Sequence, residues 1–140
     1  MLFGLLDDDA GRKEGMLRIL SREYPAHEVR FFDNAPDMVD WLRTDPEGLI
    51  LLSLDHDLGP NRERDGEIFD PGTGRQVAEV LLDRTWRVPV VVHSSNGPAA
   101  DGMQVTLETE GWKVSRSYPF ADLDWLEKDW IDVIRESLGP

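Results

Sequence analysis

Five short apolar runs recur along the chain, and each is followed by a segment whose apolar residues return at helical spacing. That alternation is the mark of βα units around a parallel sheet, and it constrains the fold more than any single residue does. The runs are Leu2–Leu6, Glu28–Phe32, Leu49–Leu54, Val88–Val92 and Trp112–Ser117. The first helix is expected over Gly11–Tyr24, with Met16, Leu17, Ile19 and Leu20 on one side. The second starts from Asn34 as N-cap, carries Met38, Val39, Trp41 and Leu42, and stops at Asp45-Pro46. Gly74–Arg84, capped by Thr73, Ala99–Glu110 and Asp124–Leu138 complete the set. Leu49–Leu54 is almost wholly apolar, as a central parallel strand covered on both faces should be. Five such units in 140 residues predict one domain, a flavodoxin-like (βα)5 three-layer α/β sandwich with strand order 2-1-3-4-5.

One stretch breaks the rhythm. Asp55 to Gly72 reads as a long irregular loop crowded with Asn61, Arg62, Glu63, Arg64, Asp65 and Gly66, either a lid or a disordered segment. Arg62 and Arg64 either close over an anionic ligand or belong to a solvated charge run balanced by Glu63 and Asp65.

Composition excludes several function classes. The chain has no cysteine, so disulfides, thiolate metal sites and a cysteine nucleophile are ruled out. It has 28 acidic side chains against 15 basic ones, a net charge of −13, which argues against gripping a nucleic-acid backbone by bulk electrostatics. A small nucleotide, or an RNA end held through a metal ion, remains open. No apolar run approaches the roughly 20 residues of a membrane span, and Met1–Leu6 is short and lacks the positive start of a signal peptide. The expectation is a cytoplasmic protein with no membrane partner.

In open parallel sheets ligands bind beyond the carboxyl ends of the strands, where the strand order reverses. Asp7, Asp8 and Asp9 follow the first run; Asp55, His56 and Asp57 follow the third. The fourth leads into His93, Ser94, Ser95 and Asn96, and the fifth ends in Ser117, Tyr118, Pro119 and Phe120. Carboxylates gathered this way repel one another unless a cation lies between them. An all-oxygen set favours Mg²⁺, with Mn²⁺ as a substitute, over Zn²⁺. The expected metal residues are Asp7, Asp8, Asp55 and Asp57; helix capping is the alternative for the first triplet and a turn role for Asp55.

Leu5-Leu6-Asp7-Asp8-Asp9, an apolar strand ending in Asp55, the hydroxyl of Ser94 in Val92-His93-Ser94-Ser95, and Pro119-Phe120 resemble the receiver domains of response regulators. The resemblance implies that Asp7 and Asp8 match that family's acidic pair, Asp55 its Mg²⁺-binding phosphoacceptor and Ser94 its switch hydroxyl. Two departures stand out. The family's lysine before the proline is Tyr118 here, with Arg116 two residues earlier, and Asp55 is followed by His56-Asp57-Leu58-Gly59 rather than a short apolar-proline turn. The run Ser53–Gly59, then Thr73-Gly74, then His93-Ser94-Ser95-Asn96 and Met103, looks closer to an offshoot, the cyclic-phosphate processing receiver-like domains. That resemblance implies hydrolysis of a cyclic phosphate on a nucleotide or RNA end, with a small phosphorylated or cyclic-phosphate ligand as partner.

The residues suit such chemistry. Opening a cyclic phosphodiester needs neutralised phosphoryl oxygens, an activated water and a protonated leaving group. Histidine titrates near neutrality, so His56 and His93, with Asp55, are the catalytic candidates. Ser94, Ser95 and Asn96, with the N–H groups opening the next helix, are the phosphate-binding candidates. A turn histidine bonded to a neighbouring carboxylate is the alternative for His56, and a buried ring satisfied by backbone for His93. His27 reads as exposed. The second functional reading is a divergent receiver acting as a signalling or protein-interaction module, with Asp55 as phosphoacceptor.

Overall fold

The computed structural model describes residues 1–139. In chain order its elements are β1 (Leu2–Leu6), α1 (Ala10–Glu23), β2 (Glu28–Phe32), α2 (Ala35–Leu42), β3 (Leu49–Leu54), the short strands β4 (Arg62–Arg64) and β5 (Glu67–Phe69), α3 (Gly74–Leu81), β6 (Val90–His93), α4 (Gly97–Thr109), β7 (Val114–Ser117) and α5 (Ile131–Leu138). Five strands pair in parallel in the order β2-β1-β3-β6-β7, which is 2-1-3-4-5 among themselves. The flavodoxin-like expectation is met. Among the described residues no helix is long and apolar enough to cross a membrane.

Successive side chains of a strand point to opposite faces, and the core divides accordingly. Phe3, Leu5, Leu51 and Val91 face α1 and the closing helix, where they meet Met16, Ile19, Leu20, Trp125, Trp130 and Ile134. Leu6, Leu52, Leu54, Val90 and Val92 face α2, α3 and α4, against Met38, Leu42, Val77, Leu81, Met103 and Leu107. A sheet covered on both faces explains why the central runs are apolar at nearly every position, Ser53 in β3 being the exception.

Several boundaries differ from expectation for identifiable reasons. The fourth strand starts at Val90, because Pro89 has no N–H to donate, although its carbonyl still accepts from Leu52 N at 3.0 Å. The fifth starts at Val114 because Trp112 is used upstream. The Gly111 and Trp112 N–H groups donate to the Glu108 and Leu107 carbonyls, both at 3.1 Å, closing α4 in a Schellman motif. The segment expected as one helix over Asp124–Leu138 opens with a π-helical turn, Leu126–Trp130, in which Ile131 N–H bonds the Leu126 carbonyl, before α5 proper. His27 is half-buried rather than exposed, packed 5.6 Å from Phe3 and 5.5 Å from Tyr24 between ring centroids.

The irregular stretch holds a β-hairpin rather than a structureless loop. Strands β4 and β5 form an antiparallel hairpin around Asp65 and Gly66, whose φ values of 54° and 81° suit a two-residue type I′ turn. Arg62 and Arg64 stack over Phe69 and bond Asp33 at 2.8 Å and Asp37 at 3.1 Å. The hairpin is thus tied to the start of α2. Its arginines are paired with Asp33 and Asp37, not with Glu63 and Asp65.

Candidate functional site

Strand register alone builds the centre of the carboxyl edge. Leu6 lies beside Leu54 and Leu54 beside Val92, so the next residues, Asp7, Asp55 and His93, fall side by side. Asp7, Asp55 and His93 are buried, at 1%, 4% and 0% exposure. Each offers a ligand atom within 4.8 Å of the others. Gly74, at the start of α3, closes in from below. A Cβ there would lie 2.0 Å from the Asp55 carbonyl oxygen, so only glycine lets the helix approach so near.

Asp7 is heavily engaged. Its Oδ1 accepts from Asp9 N–H at 2.9 Å and its Oδ2 lies 3.0 Å from His93 Nε2. His93 Nδ1 lies 2.7 Å from Ser53 Oγ, which also accepts from Trp130 Nε1 at 3.0 Å. Trp130 Nε1–H donates to Ser53 and His93 Nε2–H to Asp7, while the Ser53 Oγ–Nδ1 contact takes its proton from either side according to the charge of the ring. Burial pushes the Asp7 carboxyl up, but the bond and charge of His93, then Asp9 N–H and Arg12, hold it below the usual carboxylate range.

Asp55 has less help. Its Oδ1 accepts from His56 N–H at 2.7 Å, while the closest cation to its Oδ2 is Arg12 Nη1, 3.6 Å away. Burial first, and then the charge of Asp7, push its carboxyl up to about 7, against the opposing charges of His93 and Arg12. Asp8 is exposed, and burial followed by the Asp7 charge raises its carboxyl as well.

A cavity of about 500 Å³ opens over Asp55, walled by Asp8, Asp9, Arg12, Asp57 and Ser95. The structure therefore brings Asp7, Asp55 and His93 into one group and leaves Asp8 and Asp57 on the exposed wall beside it. The donor set fits a hard cation. It offers two buried carboxylates with oxygens to spare, while both His93 nitrogens are already bonded and close the back of the group.

The remaining sequence candidates divide. His56 Nδ1 lies 2.6 Å from Asp57 Oδ1; a carboxylate only accepts, so Nδ1 carries a proton, and in the neutral ring Nε2 is the nitrogen with the lone pair. Asp57 also receives Asn96 Nδ2 at 3.3 Å. Asn96 Oδ1 caps α4 through Ala99 N–H, and buried Ser94 Oγ accepts from Asn96 N–H at 3.1 Å, so both side chains serve the turn. Ser95 is exposed to the cavity. Arg116 turns away, bonding Asp101 at 2.6 Å and Gln104 at 3.1 Å and stacking over Tyr118, so it does not replace the lysine absent from the end of β7.

Sequence reasoning missed Arg12 and the Ser53–Trp130 link. A signal for the first existed: a basic residue in the first turn of a helix opposes the helix dipole, which calls for acidic company nearby. Ser53 was the one hydroxyl in an otherwise apolar strand, which needs a buried partner.

Residues 5–109 match the family described as cyclic-phosphate processing receiver domain. No curated protein matches the chain. Among solved structures it is similar to the phosphorylated cyanobacterial phytochrome response regulator RcpA, at TM-score 0.72 and 20% identity over 99% of this chain and 94% of that one. It is also similar to a response regulator receiver domain from Rhodospirillum rubrum, at TM-score 0.67 and 14% identity over 91% and 87% of the two chains. The response regulator domain of Thermotoga maritima CheB gives 0.64 and 14% over 100% and 97%. At such identities these likenesses speak to the fold.

Proposed function

The chain belongs to the cyclic-phosphate processing receiver domain family, and from that premise we propose that its acidic crevice holds Mg²⁺, or Mn²⁺ in its place, and hydrolyses a cyclic phosphate on a nucleotide or RNA end. The observation that carries the reading is the buried Asp7–Asp55 pair, which has more negative charge than its neighbours neutralise. Asp7 and Asp55 are the ligands, with Asp8 and Asp57 completing the acidic wall. When bound, the ion neutralises charge on the phosphoryl oxygens.

Hydrolysis forms one P–O bond from water, breaks the P–O bond to one ribose oxygen, and moves a proton from the water to that oxygen. His56 is suited to carry that proton, because Asp57 holds Nδ1–H and leaves Nε2 to accept and return it. Ser95, exposed to the cavity, is suited to bind a phosphate oxygen, and Gly97 N–H at the start of α4 can assist, since Pro98 has no N–H and that of Ala99 is held by Asn96. His93 is better suited to positioning than to proton transfer, since it has no exposure and both nitrogens are engaged. It aims Asp7.

Incubation with Mg²⁺ and a 2′,3′-cyclic nucleotide should release monophosphate, and His56→Ala should slow release by about 10²–10⁴-fold. Absence of turnover, or turnover unchanged from wild type in both His56→Ala and Asp55→Asn, would discard the hydrolase reading. A second reading, a divergent receiver that signals through Asp55, is favoured by the central position of that carboxylate and by the likeness to response regulators. Tyr118 in place of a lysine speaks against it. A stable adduct on Asp55 after acetyl phosphate treatment would turn the choice toward this second reading.

A further inference from the structure

Arg12 occupies the ground a metal would claim. It is the third residue of α1, and its backbone N–H donates to the Asp9 cap at 2.8 Å. Its side chain, 22% exposed, folds back over the strand ends. Nη1 stands 3.6 Å from Asp7 Oδ2 and 3.6 Å from Asp55 Oδ2, and the guanidinium lies 5.5 Å from the centroid of the Trp125 ring. Among the described residues no other lysine or arginine forms an ion pair with either carboxylate, and no other basic side chain lines the cavity.

At 3.6 Å these contacts compensate charge without the directionality of a hydrogen bond. The guanidinium bridges the same two oxygens that a divalent ion needs. Mg²⁺ demands close, near-octahedral oxygen contacts, at roughly 2.0–2.1 Å, so both cations cannot hold that pair at once.

We propose that Arg12 is a built-in counter-cation of the Asp7–Asp55 pair, which the divalent metal must displace and which therefore sets metal affinity. This rests on the metal reading above. In the metal-free protein the guanidinium offsets part of the pair's charge, and apparent affinity is scaled down to the fraction of molecules in which it has left the pair. The long aliphatic stem lets the head swing toward the cavity when the metal enters. There it is the single positive side chain on the wall, available to an anionic ligand.

The test is calorimetric titration of the full chain with Mn²⁺, comparing wild type with Arg12→Gln, Arg12→Lys and Arg18→Gln. Arg18 lies on the same helix, is exposed and touches neither carboxylate. Arg12→Gln should bind Mn²⁺ about tenfold more tightly, Arg12→Lys should fall between it and wild type, and Arg18→Gln should match wild type. Tryptophan emission should change on metal addition in wild type, as the guanidinium leaves Trp125, and stay flat in Arg12→Gln. Unchanged or weaker binding by Arg12→Gln, or equal tightening by Arg18→Gln, overturns the proposal while leaving the metal reading in place. Failure of both wild type and Arg12→Gln to bind at millimolar Mn²⁺ overturns the metal reading itself. Should Arg12→Gln fail to fold, Arg12→Lys keeps the charge, and wild-type affinity in that variant counts against the proposal.

Discussion

Two histidine–aspartate pairs stand at the same edge of the sheet, and what separates them is burial. His93 meets Asp7 at 3.0 Å with both side chains at 0% exposure, whereas His56 meets Asp57 at 2.6 Å with 16% and 63%. In the first pair both imidazole nitrogens are bonded and the ring cannot reach a ligand without dismantling the core. In the second, the carboxylate fixes the tautomer and leaves a nitrogen free. One contact chemistry thus yields a strut in one place and, on the function proposed above, a proton carrier in the other, with burial separating the two.

Removing each imidazole is the sharpest way to break the comparison. His93→Ala leaves Asp7 buried and without its principal partner, and should cost about 3–5 kcal/mol in urea denaturation with chelator present. His56→Ala, at a pair whose carboxylate is well solvated, should cost less, about 1 kcal/mol. Equal losses would dissolve the distinction between strut and carrier.

Asp55 sharpens the contrast, because it is the buried carboxylate that has no imidazole bonded to it. A carboxyl raised from 3.8 to about 7 in the folded state binds a proton more tightly there than when unfolded. Its contribution is therefore fully present below about pH 4, is lost as pH rises to about 7, and is flat above. Asp55→Asn should raise metal-free stability at pH 8 by about 2–4 kcal/mol and flatten the profile between pH 4 and 7. Divalent metal should stabilise wild type and not the variant. A wild-type profile that does not fall across that window would remove the burden assigned to Asp55.

A further substitution probes the back of the strut. Trp130→Phe keeps the ring but withdraws the N–H from Ser53, and should cost about 1–2 kcal/mol while weakening metal binding through a less firmly aimed Asp7. A loss of stability with metal affinity untouched would mean that the link does not extend to the site.

Most of the fold was legible because a parallel sheet covered on both faces writes its strands as apolar runs. The site was legible at the level of strand ends, since register carries whatever follows Leu6 and Leu54 to one place. The roles were less so. Whether the last residue of β6 faces solvent depends on Trp125 and Trp130, more than thirty positions later, and periodicity cannot report a contact that distant. Arg12 hid for a related reason: a long side chain on the first turn of a helix has several directions open, and the neighbouring carboxylates select one. The hairpin strands are three residues each, too short for alternation to register, although the Asp65-Gly66 pair was the one local cue.

The wide turn before α5 has a consequence of its own. In an uninterrupted α-helix, side chains five positions apart diverge by about 140°. The extra residue accommodated at Leu126–Trp130 resets that phase, so that Trp125 stacks on His93 while Trp130 reaches Ser53, both indoles having no exposure. The last helix is therefore keyed to the acidic edge by its winding as well as by its composition. Deleting Glu127, Lys128 or Asp129 would retain every aromatic and still turn the key out of its lock.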